Sequence, residues 1–328
     1  MRFSIIIVNY NGKKWLSDCL TSLLNQDYQD FEILLVDNKS TDDSVNFVKT
    51  IFPKVKIISN NDNKGFGHAN NLATKSAKGD YFFFLNPDTK VKDTKFLSKL
   101  AVEVSLHGVD VAGARIFDFN NKPLDVDGEL GIDFLGYPGR GTFPFYMDGC
   151  ALIVKRECFT TLCGFDTEYF MYAEDIDFSW RARLYGYDVR VLYDLEIYHE
   201  GGGSSSPSNI SFDKVYKIPV FRRYETEKNI QRTLLKNYSL FLLAFILPLY
   251  YVLLLAELIF HLSQRNVSMM HALIKSVFWN ITNIKSTLTA HKIVQKHRIL
   301  SDFELLKLMH PKINKLLTYK MLRKMEFV

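Results

Sequence analysis

The chain has 328 residues, 47% of them hydrophobic and 23% charged, which allows a sizeable packed core and excludes a wholly disordered chain. Its net charge of +5 is unevenly spread: residues 264–328 carry twelve Lys/Arg against three Asp/Glu, leaving the preceding body net acidic. A basic tail without a nucleic-acid-binding motif points to an anionic surface as partner, not to nucleic acid. The cysteines, Cys19, Cys150, Cys158 and Cys163, are scattered and form no Cys-x-x-Cys pair. Neither a zinc site nor a disulfide framework is indicated, and reduced thiols in a cytosolic compartment are expected. The first residues run straight into an apolar segment without a cleavage pattern, so export is not expected.

In chain order, the β-branched run 5–8 predicts a strand that breaks at Asn9-Tyr10-Asn11-Gly12. Leu16, Cys19, Leu20, Leu23 and Leu24 then share one helical stripe. A second strand over 31–36 ends at Asp37-Asn38, and a helix follows Ser40-Thr41-Asp42-Asp43. Residues 55–58 read as a third strand, 60–65 as a polar loop, and 68–76 as a helix. Five apolar residues, 81–85, make a fourth strand buried on both faces, stopped at Asn86-Pro87 because proline lacks the N–H a ladder needs. Strands alternating with helices at this spacing imply an α/β, mostly parallel central sheet flanked by helices. Beyond residue 111 the pattern loosens, and 117–141, rich in Asp, Asn, Gly and Pro, reads as a long functional loop. Residues 151–154 and 189–197 are further strands, the second ending at His199, and a helix opening at Glu174 ends near Gly186. Gly201-Gly202-Gly203-Ser204-Ser205-Ser206 reads as a flexible hinge or lid.

The polar breaks Asn9–Asn11, Asp37-Asn38 and Asn86–Asp88 each follow a strand's carboxyl end, and topology gathers such ends at the ligand-binding edge of an open sheet. Asp88 beside Thr89 suits a hard divalent cation, or else caps the next element as part of a turn. His199 is either a second metal ligand or a satisfied core histidine. Asp37 either binds ligand or caps the helix beside Ser40. Gly65-x-Gly67-x-x-Asn70 lacks the third glycine of a dinucleotide fingerprint and follows the wrong strand, so NAD binding is not expected. Asp177 and Arg181 stand at i, i+4 and either pair or serve the site, and Trp180 either walls a pocket or belongs to the core.

Val8-Asn9-Tyr10-Asn11, Val36-Asp37-Asn38-x-Ser40, Asn63-x-Gly65-Phe66-Gly67, Leu85-Asn86-Pro87-Asp88 and Glu174-Asp175-x-Asp177-x-x-x-Arg181 occur in this order. Together they resemble glycosyltransferase family 2, whose fold is called GT-A, and are most similar to rhamnosyltransferase-type members that assemble bacterial surface polysaccharides. The resemblance covers residues 3–205 strongly and continues loosely over 222–306. It implies an inverting transfer from a nucleoside-diphosphate sugar (dTDP- or UDP-linked, rhamnose first) to a hydroxyl of a lipid-linked saccharide. It assigns Asp175 as general base and Asn9, Asn11, Asp37, Lys64, Gly65, Asn70 and Asn86 to the nucleotide sugar, with Gly65 letting backbone approach the nucleotide. It gives Asp88 and His199 to a divalent cation, Mg²⁺ or Mn²⁺. Gly149, Glu174, Asp177, Trp180 and Arg181 fall on the acceptor side. The family's metal motif often has two acidic residues, whereas the first position here is Asn86. Rival readings are transfer to polyprenyl phosphate, and a non-catalytic membrane adaptor that kept the fold. A sugar-phosphate nucleotidyltransferase would need an N-terminal Gly-rich, Arg-containing signature, which residues 1–12 lack.

The expected division is a catalytic domain over 1–216 and a helical, membrane-associating region over 217–328. Residues 238–256 carry no charge, close to the ~20 apolar residues that span a bilayer. A single crossing would put the more basic flank outside, against the positive-inside tendency. An in-plane or re-entrant helix, interrupted or kinked at Pro248, keeps both basic flanks on the cytoplasmic face, with the amphipathic stretch 267–281 beside it. A buried helix of a soluble domain is the third reading.

Overall fold

A computed structural model describes residues 1–124, 128–200 and 220–316. The Gly/Ser stretch 201–206 lies outside them. The chain opens β1 (Phe3–Asn9), α1 (Lys13–Leu24), β2 (Phe31–Asp37), α2 (Ser44–Ile51), β3 (Lys56–Ser59), α3 (Phe66–Thr74) and β4 (Tyr81–Leu85). Next come β5 (Thr89–Lys90), α4 (Phe96–His107), β6 (Val111–Phe117), β7 (Glu129–Ile132), β8 (Pro138–Gly141), β9 (Ala151–Lys155), α5 (Arg156–Thr161), α6 (Glu174–Leu184) and β10 (Val189–His199). Five helices close it: α7 (Val220–Asn237), α8 (Leu240–Ser263), α9 (Val267–Thr282), α10 (Ile284–His297) and α11 (Asp302–Lys307).

Eight strands form one sheet in the order β3-β2-β1-β4-β9-β6-β10-β5. β3, β2, β1 and β4 run parallel, as expected. β9 is antiparallel to both neighbours, β4 and β6, so the sheet is mixed. This reversal matters for the site, because it brings the amino end of β9 to the carboxyl edge of β4, with Leu85 opposite Ala151. Side chains alternate across the sheet with period two. Ile6, Phe82 and Phe84 enter one core, while Phe3, Ile5, Ile7, Tyr81, Phe83 and Leu85 enter the other. The predicted stripe of α1 (Leu16, Cys19, Leu20, Leu23) covers the second core.

The first core is larger, because α3, α5, α6 and the C-terminal helices all close on it: Ile230, Leu234, Leu243, Tyr250, Leu273 and Leu305 pack with Phe145, Phe178 and Trp180. The helical region therefore shares a continuous core with the sheet. The stretch expected to be a long loop contains the antiparallel pair β7–β8, a local hairpin that Gly/Asp-rich composition concealed. Pro248 does not end α8, which passes through it and is 24 residues long in all.

α8 is among the described residues the one helix long and apolar enough to cross a membrane. It presents two faces. Leu243, Ile246, Tyr250, Leu254 and Glu257 are buried against the protein, with Glu257 paired to Arg223 and Lys315 at 2.7 and 3.0 Å. Phe241, Phe245, Val252, Leu255, Ile259 and Leu262 stand out, Phe241 77% exposed. α9 adds exposed Ile274, Phe278 and Ile281.

α7 has the opposite character. Glu225, Glu227, Lys228, Asn229, Gln231, Arg232, Thr233, Lys236 and Asn237 are all buried. Buried charges persist where they are paired. Lys236 reaches both Asp166 (2.6 Å) and Asp177 (2.8 Å), Arg232 reaches Asp166 (2.9 Å), and Glu227 meets Arg223 (2.6 Å) and Lys315 (3.2 Å).

Candidate active site

The parallel half of the sheet delivers Asn9, Asp37 and the turn after β4 to one edge, because each residue ends or follows a strand running the same way. Asn9 is completely buried and donates to Asp37 Oδ1 and to Ser40 Oγ, both at 3.0 Å, while its own oxygen accepts from Gly12 N. Asp37 Oδ2 accepts from Ser40 N at 2.9 Å. Asn11, at φ 54°, accepts from Thr41 N at 2.7 Å. The loops after β1 and β2 are thus one hydrogen-bonded unit, in which Asn9 orients Asp37 from beneath.

Asn38 continues this unit toward α3, donating to Gly65 O and accepting from Asn60. Gly65 sits at φ +82°, and a Cβ there would lie 2.0 Å from the Phe170 carbonyl oxygen. Its close neighbour is therefore the chain's own segment before α6. Asn70 is buried, donating to Phe66 O and leaving its oxygen without a partner. Lys64 is exposed beside Asp62 at 3.7 Å.

Asp88 is 5% exposed and follows Asn86-Pro87 at the edge. β10 pairs antiparallel with β5, placing His199 opposite Thr89 and its Nε2 3.3 Å from Asp88 Oδ1. Burial pulls the imidazole down, but the hydrogen bond and charge of Asp88 outweigh it, leaving His199 above its ordinary 6.5. Among the described residues no group of three His, Cys, Asp or Glu could hold a metal. Asp88 and His199 fit a cation of the Mg²⁺ or Mn²⁺ kind, which takes one or two protein ligands and completes its shell with phosphate oxygens and water. Their separation is close to the ~3 Å between neighbouring ligands of an octahedral ion with ~2.1 Å bonds.

Asp175 reaches the same edge beside Gly149, just ahead of β9. It is the second residue of α6, entered through a left-handed turn at Tyr172 (φ 72°) and Ala173 (φ 62°). Its Oδ2 accepts from Gly149 N at 3.0 Å and its Oδ1 from Ile176 N at 2.8 Å. Burial, then the charge of Asp148, raise it from 3.8 to about 7 despite these donors. Glu174 beside it is pushed well up, by burial first and by Asp175 second.

Asp148, half-buried just ahead of β9 and accepting from Cys150 N at 2.8 Å, was missing from the expected site residues. Its signal is the antiparallel run of β9, which sequence order alone does not reveal. Glu200 was missing too; it accepts from Trp15 Nε1 and ties α1 to the end of β10.

The expectation that Asp177, Trp180 and Arg181 line the acceptor side meets a different geometry. Asp177 is fully buried and bonds Arg181, Lys236 and Asn237. Arg181 spends its other nitrogens on Leu162 O and Gly164 O. Trp180 is enclosed by Phe145 and Tyr238. All three hold α6 in place, and of the acceptor-side set Gly149 is the one that bonds the Asp175 carboxylate, through its backbone N–H.

Residues 4–158 match the family model described as Glycosyl transferase family 2. Over 216 residues the chain is 30% identical to the rhamnosyltransferase WbbL of Escherichia coli K12, covering 58% of this chain and 79% of that one. The chain belongs to glycosyl transferase family 2. It is 33% identical over 232 residues to the poly(ribitol-phosphate) beta-N-acetylglucosaminyltransferase TarS of Staphylococcus aureus, covering 66% of this chain and 39% of TarS. Among solved structures, Pyrobaculum calidifontis mannosyltransferase PcManGT, in complex with GDP-Man and Mn²⁺, superposes with a TM-score of 0.54 at 17% identity, over 90% of this chain and 85% of that one. Likeness at that identity speaks for the fold, which is the GT-A fold expected from the motifs. The chain spans between 13% and 47% of the length of the first curated relatives it matches.

Proposed function

We propose that this family 2 member is an inverting glycosyltransferase of surface-polysaccharide assembly, moving a sugar from a nucleoside diphosphate to a hydroxyl of a lipid-linked saccharide. The observation that carries the reading is the Asp175 carboxylate, fixed by two backbone N–H groups and raised to about 7. A general base works best with a proton affinity matched to the operating pH. Asp175 takes the acceptor hydroxyl's proton as its oxygen attacks the anomeric carbon. The bond from that carbon to the diphosphate oxygen breaks, the diphosphate keeps the electron pair, and attack from the opposite side inverts the centre. Asp88 and His199 would hold a divalent cation, whose charge offsets that of the departing nucleoside diphosphate. Asp37, oriented by Asn9, binds the nucleoside base. The name of the E. coli relative puts rhamnose first among donor sugars, so dTDP-rhamnose, the form the motif resemblance implies, is the first donor to try, with UDP-hexoses next.

The site faces a membrane acceptor from the cytoplasmic side. The outward face of α8 and α9 is apolar, and between Glu257 and Asp302 the chain has six Lys/Arg and no Asp or Glu. An apolar face flanked by cations lies in the headgroup region of an anionic leaflet, each cation adding ~1 kcal/mol. The inward face of α8 is already occupied by protein, which favours an in-plane helix over a crossing. Residues 1–216 then do the chemistry while 217–328 attach and brace it.

The test is a thermal-shift screen of nucleotide sugars with Mn²⁺ or Mg²⁺, followed by product analysis with a lipid-linked acceptor. A donor binding the native state raises the melting temperature by mass action. If no nucleotide or nucleotide sugar shifts it at millimolar concentration, and none is hydrolysed, the enzymatic reading falls.

A further inference from the structure

We propose that Asn229 of α7 is a positioning residue for the Asp175 carboxylate, acting through the left-handed turn that precedes α6. The proposal rests on Asp175 being the base. Tyr172 and Ala173 both adopt positive φ, and neither is glycine. Each such residue costs about 1–2 kcal/mol relative to ordinary backbone. Two in succession persist only where something outside the turn holds them. The turn aims the first residues of α6, with Ala173 in the N-cap position and Asp175 two residues on.

Asn229 is completely buried, and its amide nitrogen donates to two successive carbonyls, Met171 O at 2.9 Å and Tyr172 O at 2.7 Å. Both of its protons are thus used on the turn. The opposite amide orientation would set an oxygen against two carbonyl oxygens, so the direction of the side chain is dictated by its partners. Its own oxygen has no partner, a cost accepted in a buried position for the sake of those two bonds.

The other side of the same segment is walled by α3. Phe66 N donates to Phe170 O at 3.0 Å, and Gly65 has no side chain there. Residues 170–173 are therefore gripped between the loop that leads into α3 and α7. α7 is itself immobilised by Lys236 and Arg232 on Asp166 and by Lys236 on Asp177. A helix outside the matched residues 4–158 thus sets where the base of the reaction points.

The experiment uses the full chain and the variants Asn229→Leu, Ala173→Gly and their combination. Hydrogen–deuterium exchange is measured on peptides covering 170–176 and, as a control, on α9. Transfer kinetics are measured with a donor from the screen. Asn229→Leu is expected to speed exchange in 170–176 and leave α9 unchanged. It lowers kcat for transfer about tenfold or more while donor KM stays within about twofold. Glycine tolerates positive φ, so Ala173→Gly in the Asn229→Leu background recovers part of the lost protection. Unchanged exchange at 170–176, or faster exchange with wild-type kcat, overturns the proposal, as does a parallel loss in kcat, KM and melting temperature. A wild-type chain that transfers no sugar sinks the enzymatic reading instead, and the exchange result still decides whether Asn229 holds the turn.

Discussion

Replacing Asp175 by Asn keeps the shape of the side chain and removes its capacity to take a proton. Transfer should fall by ~10²–10⁴-fold, with donor binding nearly intact. The same substitution has a stability signature. In the folded chain Asp175 is raised from 3.8 to about 7, by burial first and the Asp148 charge second. The folded state holds the proton more tightly than the unfolded one, so this group's contribution is fully present below the unfolded value and is lost as pH climbs through 7. The full difference is at most ~4 kcal/mol, at about 1.4 kcal/mol for each unit between the two values. Roughly 2–3 kcal/mol of it falls between pH 5 and pH 8. An amide escapes that loss. However, both carboxylate oxygens accept backbone N–H groups, and Asn has one oxygen for Gly149 and Ile176. One N–H then faces an NH₂, at ~1–3 kcal/mol. The variant should melt below wild type at pH 5 and equal or exceed it at pH 8. The gap should close by about 5 °C, using ~2 °C per kcal/mol for a chain of this size. Melting curves at pH 5, 6, 7 and 8 measure it. A difference independent of pH, or turnover above half of wild type, would refute the assignment.

Chelation with EDTA should abolish transfer and Mn²⁺ or Mg²⁺ restore it, with Asp88→Ala weakening donor binding and His199→Ala weakening metal dependence; full activity in chelator removes the cation from the scheme. Gly65→Ala places a Cβ against the Phe170 carbonyl at an unfavourable φ and should cost at least ~2 kcal/mol, seen as a lower melting temperature; an unchanged one contradicts the packing. Lys236→Met leaves Asp166 and Asp177 with one arginine each and should destabilise by ~3 kcal/mol in urea at pH 7. Burial works to raise Asp166, but Lys236 and Arg232 hold it well below the usual carboxylate range. The network's stability is therefore present above pH ~4 and is lost as pH falls further, so a midpoint flat from pH 7 to 2 opposes that reading. Serine at Phe241, Phe245 and Val252 should cut binding to anionic phosphatidylglycerol vesicles tenfold or more in flotation, whereas retained binding removes α8 from the membrane face.

What the sequence determined by itself is local and periodic. The alternation in β1 and β4 decides which side chains enter each core, and the i, i+3, i+4 stripe of α1 decides the face it buries. The breaks after β1, β2 and β4 fell at one edge because parallel strands end on the same side. Asp37, Asp88 and Asp175 could be singled out as candidates from these rules and the motifs. Tertiary structure decided the rest, through pairings between segments far apart in the chain. The antiparallel run of β9 carried Asp148 to the carboxyl edge of β4, and the β10–β5 pairing set His199 against Asp88 across 111 residues of chain. Packing also set the Phe170 backbone where a side chain at position 65 would stand, a demand on Gly65 that its motif alone did not reveal. It also drew Asp177 and Trp180 inward, since their partners Lys236, Asn237 and Tyr238 come from a helix end some sixty residues later, and Arg181 with them, onto Asp177 and the carbonyls of Leu162 and Gly164. A polar helix such as α7 reads as a solvated surface in sequence. Only the carboxylates and carbonyls waiting for it in the folded chain make it a buried one.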